Sequence, residues 1–282
     1  MSLPQLNFPN PQTGRHSGGV PLGIEAAGSP LQKLAQKLIH RERSALRRLD
    51  GAVSFGRSVA AFLPGLKLEI LGTLADRFRR VLVMGPMNSV RDALGPTHAK
   101  GADISGYMPI IGANDTEFLA AANSVMEDFK IGYDRHISVL SEDASARELR
   151  DVQDLQIAVG LTPLPGAFLR GGHGRISTVV YHDRDGRLLA SATMVDLTEV
   201  GSDFMDTAIL VGVSVRPDGQ GKGLGKAITA AGLIEARNSL GARRVIAVVS
   251  PTNAIALKTN AKFGMLPLAG QTAVYVEMGG QG

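Results

Sequence analysis

Apolar and polar positions change rhythm twice along this chain. Across residues 1–29 no apolar period appears and Pro, Gly, Asn and Ser abound, so the segment reads as a flexible tail. From Ser29-Pro30, an N-cap followed by a first-turn proline, Leu31, Leu34, Leu38, Leu46 and Leu49 recur at helical spacing. They predict an amphipathic helix ending near Asp50-Gly51, with Arg41, Arg43, Arg47 and Arg48 mostly outside its apolar stripe. Further helices are expected over about 66–80 and 116–129, with a short strand at Arg80–Pro86 and a polar stretch from Asn88 to Tyr107. Residues 30–135 thus read as a largely helical region of unassigned role.

The second half, 136–282, has a clearer beat. A short strand at His136–Leu140 precedes a helix over about 144–159, whose stripe is Leu149, Val152, Leu155 and Val159. Ser141 is one candidate cap; Ser145 is another, since it stands at capping-box spacing from Glu148. Two β-rich runs, Ile176–Tyr181 and Leu188–Leu197, flank Asp183-Arg184-Asp185-Gly186. An Asp-Gly pair in that setting predicts a tight hairpin whose two central residues take positive φ. There follow a buried-strand run at Thr207–Val215, a helix growing out of a glycine-rich segment up to Leu240, a strand at Arg243–Val249, a helix at Asn253–Phe263 and a strand at Ala273–Glu277. Hairpin, strand, helix, strand, helix, strand is the order of an α/β sheet with crossover connections.

Composition narrows the chemistry. With no cysteine, disulfides, thiolate metal sites and a cysteine nucleophile are excluded. The histidines show no ligand spacing, so no metal is expected. No run of about 18 apolar residues escapes charge, Pro or Gly, and the N-terminus lacks the apolar core of a secretory signal, so the expectation is a cytoplasmic protein without a membrane span. Residues 1–100 hold 14 Lys/Arg against 6 Asp/Glu, but the basic helix there reads as a solvated face, and no nucleic-acid partner is expected.

The segment that carries chemistry runs from Val213 to Lys226. A hydrophobic strand ends, Arg216-Pro217-Asp218-Gly219 turns, and Gln220-Gly221-Lys222-Gly223-Leu224-Gly225 opens a helix. Glycines there let a ligand approach the backbone, and free amides at the helix start, aided by the helix dipole, suit a pyrophosphate. Lys222 and Lys226 add positive charge. A P-loop fails because Gly225-Lys226 is followed by Ala227 rather than a magnesium-binding hydroxyl, and Gln220 stands where its first glycine belongs. A dinucleotide fingerprint fails on its last glycine and on the missing acid at the end of the next strand, which reads Val249-Ser250.

What the segment resembles is the pyrophosphate loop of the GCN5-related N-acetyltransferase (GNAT) superfamily, Gln/Arg-x-x-Gly-x-Gly/Ala. Downstream, Asn253, Ala256 and Gly264 stand at the intervals that family uses in its following helix. The resemblance spans roughly 136–278. It implies a mixed, mostly antiparallel twisted sheet with flanking helices and binding of acetyl-CoA, or another acyl-CoA, as co-substrate. By the same resemblance the amides of Gln220, Gly221, Lys222, Gly223, Leu224 and Gly225, with Lys226, hold the pyrophosphate. Val213 and Val215 pair with the pantetheine arm, and Asn253 opens the helix beside it. Gly212 is the expected bulge in a strand that splays from its neighbour. An amine, on a small molecule or a protein, attacks the thioester directly. The oligomeric state, a homodimer included, is left open.

Two departures accompany the resemblance. The tyrosine that protonates the leaving thiolate in many members is replaced by Asn260, which cannot donate a proton at neutral pH but can hydrogen-bond. The strand carboxylate found in some members is missing, because that stretch reads Ile209, Leu210, Val211. Asp206 ranks first as a substitute base, before Glu199 and Asp203, and His173 is a candidate for the acceptor pocket. These departures keep a second reading alive, an acyl-CoA-binding sensor or interaction module with weak catalysis.

Overall fold

A computed structural model describes residues 80–98, 103–132, 136–161, 163–170, 176–197 and 204–277, together with the short strands at 6–7, 52–55 and 58–62. The helices expected at 30–50 and 66–79, and His173, Glu199 and Asp203, lie outside the described residues.

The chain folds as an α/β protein on a mostly antiparallel sheet flanked by helices. Its strands, in chain order, are β1 (Leu6–Asn7), β2 (Ala52–Phe55), β3 (Ser58–Phe62), β4 (Arg80–Pro86), β5 (Asp103–Ile104), β6 (Met108–Asn114), β7 (His136–Val139), β8 (Ile176–His182), β9 (Leu188–Asp196), β10 (Phe204–Met205), β11 (Thr207–Val215), β12 (Arg244–Val248) and β13 (Leu266–Glu277). The helices are α1 (Met87–His98), α2 (Asp115–Gly132), α3 (Ala146–Ala158), α4 (Gly166–Leu169), α5 (Leu224–Asn238) and α6 (Ala254–Ala261). The main sheet runs β2-β3-β4-β13-β6-β12-β11-β9-β8-β7, with β5 pairing β13.

The strand β6, from the first half, lies between β12 and β13 of the second, antiparallel to both. Its partners stand far away in sequence: Asn114 faces Arg244, and the guanidinium Nε of Arg244 donates to the Asn114 side chain at 3.2 Å. Gly112 sits at the middle of this insertion, where a Cβ would come within 3.1 Å of the Val245 carbonyl oxygen. The helix α2 continues the docking. The amide of Asp115 donates to the carbonyl of Arg243, and the Asp115 carboxylate lies 3.5 Å from Arg237 of α5. The boundary expected at 135/136 therefore falls inside one sheet.

Two layers cover the sheet. On one face α2 and α5 pack together through Phe118, Ala122, Val125, Ile228, Ala231 and their neighbours, above Ala190, Ala192, Met194, Ala208 and Leu210. Small residues let α5 sit close; Gly232 lies against the Met194 sulfur and the Ala192 methyl. Phe129 of α2 meets Tyr181 of β8 edge to face, ring centroids 5.8 Å apart. On the other face α3 and α4 bury Leu149, Val152, Leu155 and Leu169 against Val180 and Leu188. The stripe expected for α3 is the buried one, except that Gln156 is buried and Val159 caps the helix end.

Three local expectations differ from the structure. The polar stretch from Asn88 contains α1, whose Gly95-Pro96 pair resembles a break when read alone. The strand β13 begins at Leu266, earlier than Ala273, because a register shift between Pro267 and Thr272 absorbs Pro267 and Gly270. The β8–β9 turn is not the tight two-residue form. Of Asp185 and Gly186 only Gly186 has positive φ, at 75°, and the Asp183 carboxylate instead organises the loop by accepting from the amides of Asp185 and Arg187.

Candidate active site

The functional slot grows from a mismatch between β11 and its two neighbours. Against β12, β11 is parallel and in register from Thr207↔Arg244 to Ile209↔Ile246, and no further, although β11 continues to Val215 and β12 to Val248. Against β9 the pairing breaks between Val211↔Thr193 and Ser214↔Ser191, so Gly212 and Val213 together stand opposite Ala192. This is a bulge, which bends its strand and turns peptide groups out of the ladder. Gly212 takes φ 64°, a conformation that favours glycine, as expected for the bulge position. The Ser214 hydroxyl donates to the Gly212 carbonyl at 3.0 Å and holds the kink. Beyond the bulge, Val213 and Val215 pack toward the α2–α5 layer and offer a strand edge that β12 no longer covers.

At the end of β11 the chain makes a 3₁₀ turn, Pro217–Gly219, and then the glycine loop. Gly221 has φ 75° and Gly223 φ 79°, the latter as N-cap of α5. The first bond of the helix is Ala227 N–H to Gly223 C=O, 3.0 Å, so the amides of Leu224, Gly225 and Lys226 precede any intrahelical partner. Leu224 is buried and anchors the loop, while Gln220, Gly221, Lys222 and Gly223 are exposed. The Gln220 side chain donates to the Val215 carbonyl at 3.3 Å, and Lys222 Nζ donates to the Asp218 carbonyl at 2.8 Å. Each ties the loop to the strand end it leaves. Arg216 bonds the Asp218 carboxylate at 3.2 Å and so holds it below the usual carboxylate range; Arg187 from the hairpin loop reaches the same group at 3.2 Å.

The helix α6 flanks the slot beyond β12. Asn253 caps it, the side-chain oxygen accepting from Ala256 N–H at 3.0 Å. Asn260, in its last turn, is buried; its Nδ2 donates to the Ala256 carbonyl at 3.0 Å, and its Oδ1 has no partner among the described residues. A buried acceptor left unmatched costs about 1–3 kcal/mol, so this oxygen is suited to a ligand donor.

Asp206 is not brought to this place. It stands at the start of β11, about 20 Å along an extended strand from Gly212. With φ 56°, it offers its carbonyl to the amides of Arg243 and Arg244, which sets the register of β11 on β12. That is a structural task at the paired end, away from the splayed one.

Gln156 of α3, which the apolar periodicity passes over, does reach the bulge. It is fully buried, and its Nε2 lies 2.9 Å from where a Gly212 Cβ would stand. A polar residue four positions on from Val152 and seven from Leu149, on the buried stripe itself, was the available signal.

Among the described residues no cluster of His, Asp and Glu could hold a metal, and no helix is long and apolar enough to cross a membrane. Residues 148–265 match the family model for Acetyltransferase (GNAT) family. No curated protein matches the chain. Solved structures share the fold. A GCN5-related N-acetyltransferase from Kribbella flavida has 16% identity and TM-score 0.50, covering 86% of this chain and 95% of its own. A putative acetyltransferase from the GNAT family of Novosphingobium aromaticivorans has 16% identity and TM-score 0.51, covering 83% and 93%. Slot and loop both lie within residues 148–265, the segment that matches the GNAT acetyltransferase family model.

Proposed function

We propose that this domain binds an acyl-CoA, in the simplest case acetyl-CoA, and transfers its acyl group to a primary amine within a ternary complex. The observation that carries the reading is the parting of β11 from β12 after Ile209↔Ile246, beside a bulge at Gly212. A strand that leaves its partner inside an otherwise continuous sheet exposes backbone donors and acceptors that need partners. A pantetheine arm, with its two amides, is a matching third strand along Val213–Val215. The loop amides of Gly221 to Lys226 at the head of α5 then meet the pyrophosphate, and the orphan oxygen of Asn260 accepts from an amide of the arm.

In this arrangement the amine attacks the thioester carbon, the carbonyl electrons move to oxygen, and their return expels the CoA thiolate. The ammonium formed on nitrogen gives its proton to solvent. Bulge amides are placed to stabilise the charge on oxygen. No described carboxylate lines Ile209–Val211, and Asn260 keeps its Nδ2 on the helix backbone. The thiolate therefore leaves without a dedicated acid, as a thiol of pKa near ~8.5 permits. The same two facts favour a second reading, an acyl-CoA-binding module that does not turn over.

Calorimetry with acetyl-CoA tests the first claim. Gly225→Glu is the informative variant, because a Cβ there makes only ordinary contact with Val215, 3.7 Å away, at a backbone angle any residue can adopt. It sets a carboxylate at the pyrophosphate site without disturbing the fold. Binding should weaken at least about a hundredfold, or roughly 2.7 kcal/mol. Equal binding in both proteins would refute the loop assignment. Thiol release across an amine panel then separates the readings: turnover establishes the transferase, and tight binding without turnover establishes the module.

A further inference from the structure

Gln156 is held by one end of its amide and free at the other. Its Oε1 accepts from the Leu164 N–H at 2.8 Å, and neighbouring Gln153 donates to the Leu164 carbonyl, also at 2.8 Å. Two glutamines one turn apart on α3 thus clamp both polar groups of a single residue in the 161–165 connection. Because a backbone N–H can only donate, the amide atom facing it must be oxygen. The nitrogen is thereby fixed at the opposite prong, against Gly212.

That nitrogen has two hydrogens and no acceptor among the described residues, in a side chain that is fully buried. An unmatched buried donor gives up its hydration and gains nothing in return, and an apolar residue of similar size would avoid that cost. The adjoining bulge removes Gly212 and Val213 from the β9 ladder, and the absence of a Cβ at Gly212 is what lets Nε2 approach. The donor therefore stands beside the point where the splayed strand turns its amides toward the slot.

We propose that Gln156 Nε2 is a side-chain hydrogen-bond donor to the thioester carbonyl oxygen of the bound acyl-CoA, acting beside the bulge amides. The assignment rests on the acyl-CoA reading of the slot. As the amine adds to the carbonyl carbon, the electron pair of the C=O bond moves to oxygen and the hydrogen bond from Nε2 shortens onto it. When the pair returns, the C–S bond breaks and the thiolate departs with its electrons. Gln156 gains and loses no proton throughout. The clamp on Leu164 makes the donor preorganised, which is what allows it to favour the transition state over the ground state.

The test needs no knowledge of the acceptor. Acetyl-CoA carrying ¹³C at the thioester carbonyl is bound to the full chain, and the carbonyl stretch is read by isotope-edited infrared difference spectroscopy. The first variant, Gln156→Met, is close in volume and carries no donor. Gln156→Leu, also apolar and without a donor, is the second variant should the first fail to fold. In the native chain the band should lie below that of free acetyl-CoA. In the variant it should return at least halfway, while affinity for CoA itself, which lacks the carbonyl, stays within about threefold. A band that keeps its full displacement in a folded variant overturns the assignment and leaves the acyl-CoA reading intact. Failure of the native chain to bind acetyl-CoA overturns both.

Discussion

Gly212 bears two demands at once, a left-handed backbone angle and a neighbour too close for a methyl group. Gly186, in the hairpin loop, bears only the first: its φ is 75°, and a methyl group there would have nothing within 4 Å. Replacing each by alanine therefore separates the terms. Gly186→Ala should cost about 1–2 kcal/mol, the strain of an L-residue in that region. Gly212→Ala adds a 2.9 Å collision with Gln156 Nε2 and should cost about 1–3 kcal/mol more. Urea denaturation measures both, and equal losses would mean that Gln156 yields freely. At this scale the sequence was informative wherever a residue type answers a backbone need, as at Gly212, Gly223 and the Asn253 cap. It did not place Gln156: four residues on from Val152 the glutamine falls on the inward face of α3, but nothing local says that this face will meet a bulge some 56 residues later. Asp206 illustrates a related limit: proximity in sequence to β11 puts it at the paired end of the strand, whereas the bulge and the glycine loop lie toward the other.

Among the elements, α3 shows how much a short signal can carry. Ser145 and Glu148 form the full capping box, the Ser hydroxyl accepting from Glu148 N–H at 3.2 Å and the Glu carboxylate accepting from Ser145 N–H at 2.7 Å. Ser145→Ala should destabilise the protein by about 1 kcal/mol, read by thermal or chemical melting. The side-chain and backbone bonds of Ser145 hold the Glu148 carboxyl below its ordinary range. A carboxyl with a depressed folded pKa contributes stability that is present above its unfolded value, near ~4.3, and lost as pH falls through the folded one. The gap between native and variant should accordingly narrow on acidification below that value, and a gap constant down to about pH 2 would show that the carboxylate adds nothing. Elements defined by such local chemistry, including β11, α5 and α6, were legible. The helix α1 and the first half of β13 were not, because Gly95-Pro96, Pro267 and Gly270 are breakers by propensity and tertiary pairing overrode them.

For the whole molecule, the sheet order is the decisive property and the one least written in any local pattern. The sequence reading leaves Met108–Asn114 unassigned, and nothing local says that this segment is a strand inserted between β12 and β13. Chains cut to residues 136–282 should expose the edges of β12 and β13 that β6 covers, along with the apolar residues under α2. Unpaired apolar edges associate. The fragment is expected in the insoluble fraction, or without a cooperative melt, whereas the full chain should stay soluble and melt cooperatively. A soluble, cooperatively melting fragment would show that the sheet closes without its borrowed strand.

The borrowed strand also sets a timetable. Asn114 and Arg244, bonded neighbours in the finished sheet, are 130 residues apart in the chain. At ordinary elongation speeds of about 5–20 residues per second, β6 leaves the ribosome on the order of ten seconds before the strand it must meet. During that wait its edges stay open, so this protein should depend on holding chaperones during synthesis more than a fold of equal size built from nearest neighbours.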